Sequence, residues 1–230
     1  MINESIPKKR VRDVFFCFFA LGSLWGFSEI VLGEAIRASG LPFRAGILTG
    51  IGFGLMAIAA ALFRKRAMLL IIPVVVVAVR QLAVPVLQVP FVCKANSCLA
   101  VGLEGFALTG AIALAWRKIE KRFAVRVAVP VSAAIISAGA FWAIGMKVAP
   151  CPYLLSFNRP GGLISFIAAE GIPWAVFSGI LFPVGYWVGR RLRERVPAFA
   201  IKKPAFYFAI SVLVIMISWT ASGIAIANGL

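Results

Sequence analysis

Five charged residues lie inside long hydrophobic segments of this 230-residue chain, and all five fall in the same half of a membrane. They are Glu29, Glu34, Arg80, Glu104 and Glu170. A charge at the bilayer centre costs roughly 2.5–3.5 kcal/mol on insertion scales, so such residues usually face a bundle interior or a water-filled cavity. Their shared depth predicts a common chamber that opens to one side of a membrane.

The charges of this chamber do not balance, because four carboxylates face one deeply placed arginine, Arg80. One interpretation is an ion-pair network that keeps the helices in register. The other is a ligand site, in which a carboxylate is protonated, solvated or neutralised by a bound cation. Protonation would also allow proton coupling.

Three tryptophans accompany these charges along the chain: Trp25, Trp142 and Trp174. Aromatic faces stack on flat organic ligands or hold cations, although tryptophan also serves as packing and as an interfacial anchor. The predicted substrate-binding residues are therefore Glu29, Arg80, Glu104, Glu170, Trp25, Trp142 and Trp174.

The elements that must position these residues are membrane-spanning helices. Hydrophobic residues make up 62% of the chain and charged residues only 14%, which is typical of a polytopic membrane protein. The composition predicts an all-α integral membrane protein with a single domain, residues 1–230. Seven apolar segments are long enough to cross: Val14–Ile36, Phe43–Phe63, Met68–Val89, Leu99–Trp116, Val127–Val148, Leu163–Val188 and Ala205–Ala227.

Basic residues at alternate ends of these segments predict the orientation. Most of the 24 Lys and Arg residues lie before the first segment or in the second-to-third, fourth-to-fifth and sixth-to-seventh links. By the positive-inside rule these links are cytoplasmic, so we expect the N-terminus in the cytoplasm and the C-terminus outside. The charged half of the bundle then faces outward.

Composition also excludes several kinds of function. The net charge of +16 is accounted for by topology signals and anionic lipid headgroups, so no nucleic-acid partner is expected. The chain has no histidine, which excludes His-ligated haem, His-based zinc sites and a histidine general base. No phosphate-binding Gly-x-x-x-x-Gly-Lys-Ser/Thr motif occurs, so any ATP-driven step needs a separate ATPase. The sequence does not identify a cofactor.

Three cysteines lie in or beside the predicted outer loops: Cys93, Cys98 and Cys151. In an oxidising exterior we expect a disulfide among them, although the pairing is open. A redox-active dithiol and capture of a soft metal by three thiolates are the alternatives. The loop from Cys151 to Gly162 is either a lid over the chamber or a plain connector.

These features resemble the substrate-binding S components of energy-coupling factor (ECF) transporters, which are small, basic, very hydrophobic proteins. That resemblance implies a vitamin or metal site near the outer face, here formed by Glu29, Arg80, Glu104, Trp142 and Glu170. It also implies that small residues of the first helix (Gly22, Ser23 and Gly26) dock a transmembrane coupling subunit that works with a separate ATPase. S components typically have six spans, whereas seven are predicted here.

The favoured interpretation is a transporter, or the substrate-binding subunit of one, in the cell membrane, with a prokaryotic inner membrane preferred. It would take up a small cationic or zwitterionic solute, either a vitamin-like molecule or a metal ion, from the outer face. One alternative is an intramembrane enzyme acting on a lipid-linked substrate, with Arg80 on a phosphate. The other is a structural subunit of a larger membrane complex. A role in transport is preferred to an enzymatic one.

Overall fold

A computed structural model describes residues 8–229, and the side chains of residues 8–11, 92 and 93 lie outside its described part. Seven of its helices are long and apolar enough to cross a membrane. We number them α1–α7: Arg12–Ala38, Arg44–Phe63, Arg66–Leu87, Ala95–Lys121, Phe123–Val148, Gly162–Leu192 and Pro204–Ala227. Each coincides with one predicted segment to within five residues at either end; α2 begins one residue later and α3 ends two residues earlier than predicted.

Six of these helices form a closed ring, and the seventh lies outside it. Around the ring, α1 packs on α2, α2 on α6, α6 on α5, α5 on α4, α4 on α3, and α3 on α1 again. Helix α7 packs mainly against α1, with a further contact to the end of α3. This arrangement leaves the interior of the six-helix ring as the place where polar side chains can meet.

The most extensive contact in the bundle joins α2 to α6, and glycines make it possible. A Cβ atom on Gly185 would lie 2.1 Å from the carbonyl oxygen of Gly54, and one on Gly46 would lie 2.8 Å from the backbone of Pro173. Without side chains at these positions the two backbones approach closely, as small residues allow in membrane helices. This contact holds the start of α2 against the start of α6.

The small residues of α1 are used for internal packing, whereas the ECF resemblance implies that they dock a coupling subunit. A Cβ atom on Gly22 would lie 2.8 Å from Val75 Cβ, and one on Gly26 would lie 2.7 Å from Val79 Cβ. Ser23 is fully buried and accepts a hydrogen bond from the indole of Trp219. Because α3 and α7 already cover this face, it is not available to a partner helix.

Two helices depart from α-geometry at a glutamate. In α1, an α-helix over Lys8–Phe27 leads into a π-helical turn, Ser28–Leu32, and the helix resumes over Gly33–Ala38. In α6, Gly162–Phe166 leads into a second π-helical turn, Ile167–Gly171, before Ile172–Leu192. Such turns are rare and often mark functional sites. Pro173 has no N–H for the carbonyl of Ala169, which explains the second departure.

Shorter helical elements lie within α3 and in the links. Helix α3 begins as a 3-10 turn, Arg66–Leu70, and is interrupted between Ile71–Arg80 and Ala83–Leu87. A 3-10 turn, Phe91–Lys94, precedes α4, and a four-residue helix, Pro152–Leu155, lies in the link between α5 and α6. An eight-residue helix, Arg195–Lys202, precedes α7.

Candidate functional site

A cavity of about 550 Å³ opens where α1 and α3 end and α2, α4 and α6 begin. Its lining includes the five charged residues that were predicted to share one chamber: Glu29, Glu34, Arg80, Glu104 and Glu170. The structure therefore brings together carboxylates from α1, α4 and α6, which are far apart in the sequence. The volume lies within the roughly 300–1,000 Å³ that small-molecule sites usually have.

Glu29 is held from two sides at the wall of this cavity. Arg80 Nη1 lies 3.0 Å from Glu29 Oε2, and the indole nitrogen of Trp25 donates to Glu29 Oε1 at 3.1 Å. Both Glu29 and Arg80 are largely buried, and Trp25 is fully buried. Trp25 thus supports the carboxylate from behind and is not among the lining residues.

Glu34 is also paired, at the more exposed rim. Its carboxylate lies 2.6 Å from Arg37 Nε and 3.7 Å from Arg44 Nη1. Arg44, at the start of α2, is the second arginine that lines the cavity. Both ion pairs of the lining are therefore formed between an arginine and a glutamate of α1.

Glu104 lies deeper and has no basic partner among the side chains that the structure describes. Its side chain is buried, with 4% of its surface exposed. Oε1 accepts a hydrogen bond of 3.0 Å from the hydroxyl of Thr49, whereas Oε2 is buried without any partner. A buried carboxylate oxygen that lacks a donor is costly, and each such group in a native structure calls for an explanation.

The partner of the Glu170 carboxylate is a tyrosine hydroxyl and not one of the described basic side chains. The hydroxyl of Tyr153, from the short helix Pro152–Leu155, donates to Glu170 Oε1 at 2.5 Å. Burial, and next the hydrogen bond to Glu170, raise the pKa of Tyr153 above its ordinary value. The phenol therefore stays a neutral donor through the physiological pH range. Within the described residues, no lysine or arginine forms an ion pair with Glu170.

The cavity carries more negative than positive charge. Four glutamates and two arginines line it, and the arginines are already paired with Glu29 and Glu34. Glu104 and Glu170 form no ion pair with any described side chain. A positively charged guest would supply what these two carboxylates lack.

Aromatic side chains form part of the same cavity lining, and we call them the aromatic wall. Phe141, Phe166, Trp174 and Tyr153 line the cavity. Phe141 lies 6.0 Å from Phe166 and 6.3 Å from Trp174, measured between ring centroids. Trp142 is partly buried against the core and is not among the lining residues. Of the three tryptophans predicted to bind substrate, Trp174 lines the cavity, whereas Trp25 and Trp142 do not; substrate contact by any of them stays a prediction.

Several lining residues were not predicted as site residues, among them Thr49, Phe141, Tyr153 and Phe166. Nothing distinguishes a lining phenylalanine from a lipid-facing one in a chain with 19 of them. Tyr153 could have been found from the sequence, because it supplies an aromatic ring and a hydroxyl in the loop from Cys151 to Gly162, which is a candidate lid. Thr49 is a single hydroxyl residue in a Gly-rich helix, and no sequence pattern marks it as a site residue.

The predicted disulfide is not present in the described part of the chain. Cys98 and Cys151 are free thiols, and the side chain of Cys93 lies outside the described residues. Cys98 Sγ accepts a hydrogen bond from Gln81 Nε2 at 3.3 Å, inside the bundle. Cys151 instead caps the helix Pro152–Leu155, where its sulfur accepts from the Leu154 N–H at 3.4 Å. Each thiol has a separate structural role, which corrects the expectation of a bridge between them.

No site for a metal ion is formed by the described residues, since no three Cys, Asp or Glu side chains come close enough together to hold one. The carboxylates of the cavity are spread over its walls and each has its own hydrogen-bonding partner. This geometry fits an extended organic guest better than a bare metal ion.

Comparisons with protein-family models, with curated proteins and with solved structures found no match to this chain.

Proposed function

We propose that the protein binds a small organic cation or zwitterion within the membrane, as a transporter or as the substrate-binding subunit of one. The observation that carries this proposal is Glu104, a buried cavity-lining carboxylate with no basic partner and one oxygen without any hydrogen bond. Charge buried in a membrane protein usually marks a substrate or ion pathway when it is not paired internally. A positively charged solute would complete this site.

A ligand site accounts for the charges better than a purely structural ion-pair network does. Such a network explains Glu29 with Arg80 and Glu34 with Arg44. It leaves Glu104 and Glu170 unexplained. It also does not account for an open volume of about 550 Å³ between them. A ligand site explains both groups of charges. The ion pairs form the walls of the cavity, and the unpaired carboxylates bind the solute.

The enzymatic alternative has less support. In that interpretation Arg80 would hold the phosphate of a lipid-linked substrate. Arg80 Nη1 instead lies 3.0 Å from Glu29 Oε2, so a phosphate at Arg80 would lie beside a carboxylate and be repelled by its charge. We therefore favour transport.

The orientation that we propose places the N-terminus in the cytoplasm, the C-terminus outside and the cavity toward the exterior. Its support is the basic links, which cluster at the end of the bundle opposite to the cavity. The cell membrane of a prokaryote is the proposed location. Alkaline phosphatase fused after the C-terminus should be active, and a fusion in the link between α2 and α3 should be inactive. The reverse pattern would place the cavity on the cytoplasmic side.

The ECF-like role is also part of the proposal. A ring of six helices with α7 outside it is compatible with a six-span unit carrying one added helix. A coupling subunit and a separate ATPase remain proposed partners. Any such partner must use a face other than Gly22, Ser23 and Gly26, which are covered.

The deciding experiment compares Glu104→Gln with Glu120→Gln. Both residues lie on α4, but Glu120 is near the opposite end and pairs with Arg64. Native mass spectrometry of the gently purified wild type should show a retained small molecule, and thermal-shift screening against organic amines and amino acids should find a stabilising ligand. Glu104→Gln should weaken binding by roughly thirtyfold or more, as for loss of a buried charge partner.

Glu120→Gln is the matched control and should bind as the wild type does. The proposal fails if no molecule is retained and no amine or amino acid stabilises the protein. It also fails if Glu104→Gln and Glu120→Gln bind equally well.

A further inference from the structure

The aromatic wall of the cavity is part of a continuous chain of rings. Tyr153 contacts Phe157 edge-on at 5.4 Å, Phe157 contacts Phe166 edge-on at 5.3 Å, and Phe166 leads through Phe141 to Trp174. These contacts fix the rings to one another across the link, α5 and α6. Phe141, Phe166 and Trp174 are all buried. The wall is therefore a preformed apolar surface, which favours a flat apolar group as the guest.

The two carboxylates of the lining that form no ion pair can accept further hydrogen bonds from N–H donors. Glu104 Oε2 has no donor, and Glu170 receives one hydrogen bond, from Tyr153. A carboxylate accepts several hydrogen bonds, and a protonated primary amine has three N–H donors together with a positive charge. A quaternary ammonium ion has the charge but no N–H, so it would leave Glu104 Oε2 without a donor.

We propose that the ligand of this cavity is a protonated primary amine that carries an aromatic ring. The ammonium group binds on the side of Glu104 and Glu170, and the ring lies against Phe141, Phe166 and Trp174. This inference rests on the proposed function, because it names the solute class for the same cavity. The volume of about 550 Å³ accommodates a molecule of that size.

A series of three small ligands tests the two parts of this inference separately. The probes are 2-phenylethylammonium, ethylammonium and trimethyl(2-phenylethyl)ammonium, titrated into the protein in lipid nanodiscs by calorimetry. Ethylammonium should bind at least about tenfold more weakly than 2-phenylethylammonium, because it buries no ring. The trimethyl analogue should also be about tenfold weaker or worse, because it cannot donate a hydrogen bond to either carboxylate.

Variants of the wall provide the second test. Phe166→Leu and Phe141→Leu should each weaken 2-phenylethylammonium binding several-fold while leaving ethylammonium binding unchanged. Phe106→Leu is the control, since Phe106 lies on α4 with 61% of its surface exposed and does not line the cavity. It should bind all three ligands as the wild type does. Two independent wall variants keep the test valid if one of them does not fold.

The possible outcomes separate this inference from the proposed function. Equal binding of ethylammonium, or equal or tighter binding of the trimethyl analogue, would overturn the aromatic-amine assignment. So would failure of 2-phenylethylammonium to bind while another amine, such as spermidine, binds and is lost in Glu104→Gln. In that last case the cation-binding function stands. Absence of binding by every amine and amino acid overturns both.

Discussion

Arg80 Nη1 lies 3.0 Å from Glu29 Oε2, and this ion pair joins α3 to the π-helical turn of α1 at the wall of the cavity. Glu29 is further supported by Trp25, so its carboxylate has a fixed direction. The pair leaves Arg80 unavailable to Glu104. Together with the pairs that Glu34 forms, it leaves two of the four cavity carboxylates, Glu104 and Glu170, without an ion pair among the described side chains.

This relationship predicts strong energetic coupling between Arg80 and Glu29. Arg80→Met should destabilise the protein by about 3–5 kcal/mol, because it leaves a buried carboxylate without its partner. Arg80→Met combined with Glu29→Gln should be less destabilised than Arg80→Met alone. A double-mutant cycle measured by thermal unfolding in detergent checks this. The more exposed pair Arg64 and Glu120 should show a coupling of at most about 1 kcal/mol. Additive effects at Arg80 and Glu29 would contradict the prediction.

Tyr153 gives a prediction about pH. Burial and the Glu170 carboxylate raise the pKa of Tyr153, so the folded protein favours the neutral phenol. Its contribution to folding stability is present below the ordinary tyrosine pKa near 10 and is lost as the pH rises through the raised value. An alkaline titration of phenolate absorbance, wild type minus Tyr153→Phe, should show ionisation only above about pH 10. Ionisation of this tyrosine at or below its ordinary pKa would show that the contact with Glu170 is absent.

Gly52 packs against Trp25, the residue that donates a hydrogen bond to Glu29, and this contact gives a prediction about stability. A Cβ atom at this position would lie 2.1 Å from Cε2 of the Trp25 indole, which has no room to move because it is fully buried. Gly52→Ala should therefore destabilise the protein by about 1–3 kcal/mol, as overpacking does. Gly110→Ala is the control, since nothing lies within 4 Å of its Cβ position, and helix propensity favours alanine there. Thermal unfolding of the two variants checks the difference, and equal melting temperatures would contradict it.

Much of the fold could be predicted because hydropathy is a local property of the chain. The ends of α2 were predicted to within one residue, and the glutamates of α1, α4 and α6 were predicted to share one half of the bundle. Depth follows from counting residues along a helix that rises 1.5 Å per residue. The direction of each side chain around its helix axis needs the neighbouring helices as well. This is why Trp142 was included among the wall residues although it does not line the cavity.

The amino-acid sequence alone determined that seven helices are long and apolar enough to cross a membrane, and that charged residues accumulate in one half of them. Only the tertiary structure decided which carboxylates are paired, because Glu29 reaches Arg80 through the close packing of α1 on α3, while Glu104 meets only Thr49. It also decided that Gly22 and Gly26 serve internal packing. The physical reason is that the sequence sets the depth and length of a helix, whereas contacts with its neighbours set its rotation and its partners.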